Sequence, residues 1–96
     1  MATIETMPIN FIRNIQFTKL IKAEGRLREF NFRKTGTGIE ERCSVDTVDD
    51  RGNRIIFSML KENESWKIGS SLLPKWILNY EDDLHKAIEE ELNNQF

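Results

Sequence analysis

Residues 43–60, CSVDTVDDRGNRIIFSML, decide the fold. Two runs of strand composition flank a turn signal at Asp50-Arg51-Gly52. On one side Cys43, Val45 and Thr47 alternate with Ser44 and Asp46; on the other, Ile55, Phe57 and Met59 alternate with Ile56 and Ser58. A three-residue loop with glycine in the left-handed position is a common hairpin connection, because glycine has no Cβ to clash there. That loop sets Asp49 against Asn53, Thr47 against Ile55, Val45 against Phe57 and Cys43 against Met59. The last three pairs then share one side of the sheet. A two- or four-residue loop would turn Asp46 or Ser44 toward the apolar partners, and a one-residue slip flips a whole strand. The odd loop is selected.

The strands on either side extend the pattern. Upstream, Phe17 and Ile21 define one face of a strand, with Lys19 between them on what reads as a sheet edge. A tight turn at Glu24-Gly25 sets Phe17 against Phe32 and Ile21 against Arg28. Thr35–Glu40, with two glycines, reads as a flexible connection. A loop that sets Lys34 against Glu41 would put Phe32 opposite Cys43 and Phe30 opposite Val45. Downstream, a turn at Asn63-Glu64 sets Ile68 opposite Met59 and leaves Trp66 on the same face.

Gly69-Ser70-Ser71 ends the alternation, and a helical period follows through Leu73, Ile77, Tyr80, Leu84, Ala87 or Ile88, and Leu92. Pro74 suits a first helical turn, and Glu81, Asp82 and Asp83 suit the positive end of a helix dipole. Either one helix bends near Asn79, or a short turn at 73–78 precedes a helix over about 80–93. The expected fold is α+β: an antiparallel β-meander of four to five strands with one C-terminal helix packed on one face. The 96 residues are read as a single domain, with 1–14 irregular, 15–69 the meander and 72–93 the helical segment.

Composition narrows the function classes. The net charge of −2 recommends neither nucleic acid nor a membrane. One cysteine allows no intrachain disulfide and suits a reducing compartment. MATIETMPIN lacks the pattern of a secretion signal, and no stretch approaches the roughly 18 apolar residues of a membrane span. A cytoplasmic protein is expected, with no cofactor.

Chemistry is sparse. His85 is the only histidine and is expected to face solvent or flank the helix stripe; no other ligands converge at metal-site spacing. Cys43 falls on the buried face, where a thiol is inert. The carboxylates of Asp49-Asp50 suit turn chemistry, Glu81-Asp82-Asp83 a helix start, and Glu89-Glu90-Glu91 a solvated helix face. No catalytic residue or metal ligand is assigned.

Charge is unevenly spread. Between Arg13 and Lys34 seven basic residues stand against two acidic ones, whereas residues 49–96 carry six basic and ten acidic. Lys19, Lys22, Arg26, Arg28, Arg33 and Lys34 are therefore candidates for nucleic-acid or anion binding. REFNFRK superficially matches an aromatic strand that stacks bases, but it lacks the glycines of that motif, and the core uses both phenylalanines. Trp76, Tyr80 and Phe96 are candidate protein contacts. The expected function is a small non-enzymatic binding or accessory module acting through an unidentified protein partner or self-association. Single-stranded nucleic-acid binding stands second and catalysis third.

Overall fold

The computed structural model describes residues 13–36 and 41–94. Five strands, β1 (Arg13–Ala23), β2 (Arg26–Gly36), β3 (Arg42–Val48), β4 (Arg54–Glu62) and β5 (Ser65–Ile68), form one antiparallel sheet in sequential order. A single turn, α1 (Lys75–Leu78), and a longer helix, α2 (Glu81–Asn94), follow. Of the two alternatives for the C-terminal segment, the short turn followed by a helix is the one formed. Pro74 caps α1 and Asn79 ends it.

The central hairpin pairs as the alternation requires. Cys43 lies opposite Met59, Val45 opposite Phe57 and Thr47 opposite Ile55. The Asp49 amide donates to the Asn53 carbonyl (2.9 Å), and Gly52 sits at φ 86°. The Asp49 carboxylate accepts from the amides of Asn53 (2.8 Å) and Arg51 (2.9 Å). Those donors, the Asn53 amide first, hold its carboxyl below the ordinary aspartate range. The Glu24-Gly25 turn likewise sets Phe17 against Phe32 and Ile21 against Arg28, and Met59 faces Ile68.

The β2–β3 register differs from the expected one. Lys34 pairs with Cys43 and Phe32 with Val45, two residues away from the pairing that would join Lys34 to Glu41. A two-residue shift leaves every side chain on its own face, so apolar alternation is blind to it. The polar face is not. The expected register would oppose Arg33 to Arg42 and Glu29 to Asp46, and like charges directly opposite are destabilising. The observed one sets Arg33 against Ser44 and Asn31 against Asp46, whose side chains bond at 3.1 Å. Thr47 also donates its hydroxyl to the Glu29 carbonyl at 2.8 Å. Two boundaries move as well. β1 begins at Arg13, inside the segment expected to be irregular, and β2 runs through Gly36, into the expected connection. The rest of the irregular segment, 1–12, lies outside the described residues.

One face of the sheet carries Phe30, Phe32, Cys43, Val45, Phe57, Met59 and Trp66, all buried, and Ile77, Leu84, Ala87 and Ile88 close over them. Phe17 and Phe32 stack across β1–β2 with ring centres 4.5 Å apart. The helix α2 touches both outermost strands, β5 and β1. Five flat strands would hold those two about 19 Å apart, well over the roughly 10–12 Å diameter of a helix. The sheet therefore curls around α2, and its two faces become an inside and an outside.

Candidate functional site

Helix α2 closes one edge of the sheet with side chains. On β5, the amides of Trp66 and Ile68 point away from β4. The Trp66 amide donates to His85 Nδ1 (3.0 Å) and the Ile68 amide to Glu81 Oε2 (2.8 Å). Trp66 Nε1 donates to Glu89 Oε2 (3.0 Å), which Lys61 approaches at 3.5 Å. Glu81, His85 and Glu89 recur every four residues, which places all three on one side of the helix. His85 is thus a structural acceptor rather than a solvent-facing residue, and its bond requires the neutral ring with its proton on Nε2. Glu81, at the helix start as expected, also caps the edge, whereas Glu89, expected on a solvated face, accepts from the Trp66 indole. An unpaired sheet edge is a hazard that folds cover in this way.

The six candidate basic residues do not form one surface. Lys19 reaches inward to Glu90 at 2.8 Å, which lowers the Glu90 carboxyl below its ordinary range. Arg26 pairs with Asp50 at 2.6 Å, and Lys34 lies 3.9 Å from Glu41. Arg28 is buried: its guanidinium lies 4.1 Å over the Trp76 ring, donates to the Ala23 carbonyl (3.2 Å) and meets Asp50 at 3.1 Å. It ties the β1–β2 hairpin to α1 and to the neighbouring turn. Lys22 and Arg33 are exposed and, among the described residues, have no ion-pair partner.

Two of the candidate protein contacts also face inward in part. Trp76 packs on Arg28 and Phe30, and the Tyr80 hydroxyl accepts from the Glu24 amide at 3.2 Å. Phe96 lies outside the described residues. These rings hold the helical segment over the β1–β2 turn.

Among the described residues the exposed large apolar side chains are Leu72 (92 % exposed), in the connection after β5, and four on the outer face of the sheet. Leu20 (59 % exposed), Leu27 (67 %), Val48 (51 %) and Ile56 (63 %) all occupy positions where the alternation calls for polar residues. Leu20 is a diagonal neighbour of Leu27, and Val48 of Ile56, at the end of the sheet that carries the Glu24-Gly25 and Asp49–Asn53 turns. The two pairs form the apolar part of this outer face, with the exposed Glu29 opposite Leu20, and exposed apolar patches on a monomer are often functional. Their signal is present in the sequence as an apolar residue out of phase with its strand.

Beside the patch runs a polar chain across four strands. Thr18 Oγ1 donates to Asn31 Oδ1 (2.7 Å), Asn31 Nδ2 to Asp46 Oδ1 (3.1 Å), and Arg54 to Asp46 Oδ2 (3.2 Å). These residues, with Gln16 and Arg33, line an open trough of about 390 Å³. Each member of the chain bonds to its neighbour, so the trough offers a fixed polar surface.

Burial pushes the Cys43 thiol up to about 11, which leaves it protonated at neutral pH. Among the described residues no three His, Cys, Asp or Glu side chains converge as a metal site, and no helix is long and apolar enough to cross a membrane. Comparison of the chain with protein families, curated proteins and solved structures gives no match.

Proposed function

We propose that this protein is a small non-enzymatic binding module whose contact surface is the outer face of the sheet. The observation that carries this reading is the placement of Leu20, Leu27, Val48 and Ile56 in solvent on one face of the sheet while the helical segment packs over the other. Burying a side chain of this kind contributes about 1.5–3 kcal/mol, and these four are available to a partner without loss to the core. The polar chain beside them supplies fixed donors and acceptors for the rim of a contact. Affinity capture from the native cell tests the reading. A partner retained by the wild type and lost from Ile56→Glu supports it, and an identical set of captured proteins on both baits overturns it.

Nucleic-acid binding is the second reading, supported by the exposed Lys22 and Arg33 and by Arg54 and Lys67 on the same outer face. Four of the six bases first considered are engaged within the fold, which leaves few to neutralise phosphates. Titration with single-stranded oligonucleotides separates the readings. Phosphate contacts weaken steeply with salt, so tight binding at low ionic strength that disappears at high salt would promote this one.

A further inference from the structure

The two outer strands of the sheet are finished differently. On β5 the outward amides of Trp66 and Ile68 each find an acceptor on α2. On β1 the ladder itself fixes which groups point outward. Glu24 (φ 55°) and Gly25 (φ 80°) form a two-residue turn, so Ala23 and Arg26 exchange both of their backbone bonds. Every second pair back from the turn does the same, and the amides and carbonyls of Lys22, Leu20, Thr18 and Gln16 are directed away from β2. Among the described residues, no hydrogen-bonding partner meets those four amides. This is a row of alternating donors and acceptors, on the longer of the two outer strands.

A cleft of about 280 Å³ lies between β1 and α2, lined by Ile21 and Ala87 and by the charged Lys22, Lys86 and Asp83, with Lys19 of β1 bonded to Glu90 of α2 in its wall. An edge strand beside a helix, with a gap between them, is the geometry in which an extended peptide can be added to a sheet. Backbone bonds hold such a peptide, and alternate side chains fall into the cleft or over the outer face. Here the outer-face neighbours are Leu20 and Leu27, half of the exposed apolar patch.

Charge selects the occupant. The segment RNIQFTKLIKA contains three basic residues and no acidic one; Glu90 holds Lys19, and Lys22 has no ion-pair partner among the described residues. A second copy pairing through its own β1 would bring no carboxylate to Lys22. A single-stranded nucleic acid would satisfy the lysines, but phosphates offer acceptors only and would leave the β1 carbonyls unpaired. An acidic polypeptide answers both the charge and the alternation. We propose that the open edge of β1 and the adjoining cleft are a strand-addition site for an extended segment of a partner protein in which acidic residues alternate with apolar ones. This rests on the reading of the protein as a protein-binding module and specifies its partner.

The test is selection from a library of displayed random octapeptides on the full chain, followed by amide hydrogen exchange with the selected peptides. Selected sequences are expected to alternate Asp or Glu with apolar residues, and to slow exchange at Gln16, Thr18, Leu20 and Lys22. Thr18→Pro removes an outward amide that the sheet does not use, a position where edge strands accept proline, and is expected to weaken binding at least tenfold relative to a Thr18→Val control, which loses only the hydroxyl bonded to Asn31. Lys22→Glu, which leaves the backbone intact, is expected to turn the selection toward basic peptides. Protection of those four amides in the free chain, selected peptides with no acidic bias, or binding unchanged in both variants would overturn the proposal. So would protection of the same amides by self-association or by an oligonucleotide. Peptides that bind both variants but not Ile56→Glu would refute the edge and leave the outer face standing; no selected peptide at all would count against both.

Discussion

Ile56 and Phe57 are neighbours on β4, yet Ile56 is 63 % exposed and Phe57 only 5 %. The same contrast divides the whole sheet. Its inner face carries the apolar core, with Lys19, Arg28 and Lys61 set among the apolar residues, and the helical segment packs over it. Its outer face mixes charges, a hydrogen-bonded polar chain and four large apolar residues that cover nothing. The inner face shows what folding requires. The outer apolar residues are retained at positions where folding would be served as well by polar ones, and that difference directs attention to binding.

The edges repeat the lesson. α2 spends two side chains on the outward amides of β5 and a third on the Trp66 indole, and Lys19–Glu90 is the nearest equivalent at β1. That ion pair joins two exposed side chains and leaves the β1 backbone open. Such pairs contribute little to stability. The edges thus differ in what they offer a partner more than in how firmly they are held.

The contrast between faces can be broken most directly at Phe57. Phe57→Ala is expected to lower the unfolding free energy by about 3–5 kcal/mol in urea denaturation, and a loss under about 1 kcal/mol would remove the inner face from the core. Cys43 tests the same face by titration. Its folded value of about 11 stands above the 9.0 of a free thiol, so the unfolded chain releases its proton first as pH rises. The stability that burial of the neutral thiol supplies is complete below about pH 9 and is lost toward pH 11, on the order of 2–3 kcal/mol. Denaturation curves of the wild type and of Cys43→Ala should diverge across that window, with only the wild type losing this increment.

The closed edge responds less. His85→Ala leaves the Trp66 amide without its acceptor and should cost about 1–3 kcal/mol, together with faster exchange of that amide. Exchange as slow as in the wild type would mean that the helix does not cap the strand. The smallest effect belongs to the outer face. Ile56→Ser is expected to change stability by within about 0.5 kcal/mol while abolishing partner capture. A large loss of stability there would show that the patch serves the fold.

Much of the sheet was legible because one physical rule, alternation across a pleat, acts locally. Gly52 at the hairpin tip and Glu24-Gly25 at the first turn set registers that the apolar residues then confirm. The β2–β3 pairing failed because the apolar rule has period two and repeats itself; reading Arg33 against Arg42 and Glu29 against Asp46 on the other face would have rejected it. The surface was harder to read. Arg28 resembled its exposed neighbours until Trp76, nearly fifty positions away, was laid over it. His85 seemed idle until β5 arrived beside it.

By itself the sequence determined the strand order of the central hairpins, the faces of the side chains and the change to helical period after Gly69, since each depends on residues close along the chain. Only the tertiary structure decided which charges are consumed internally, which edge is closed and which apolar residues remain in water. Those outcomes depend on how the sheet curls around α2, which brings together groups whose separation in sequence gives no warning of their contact.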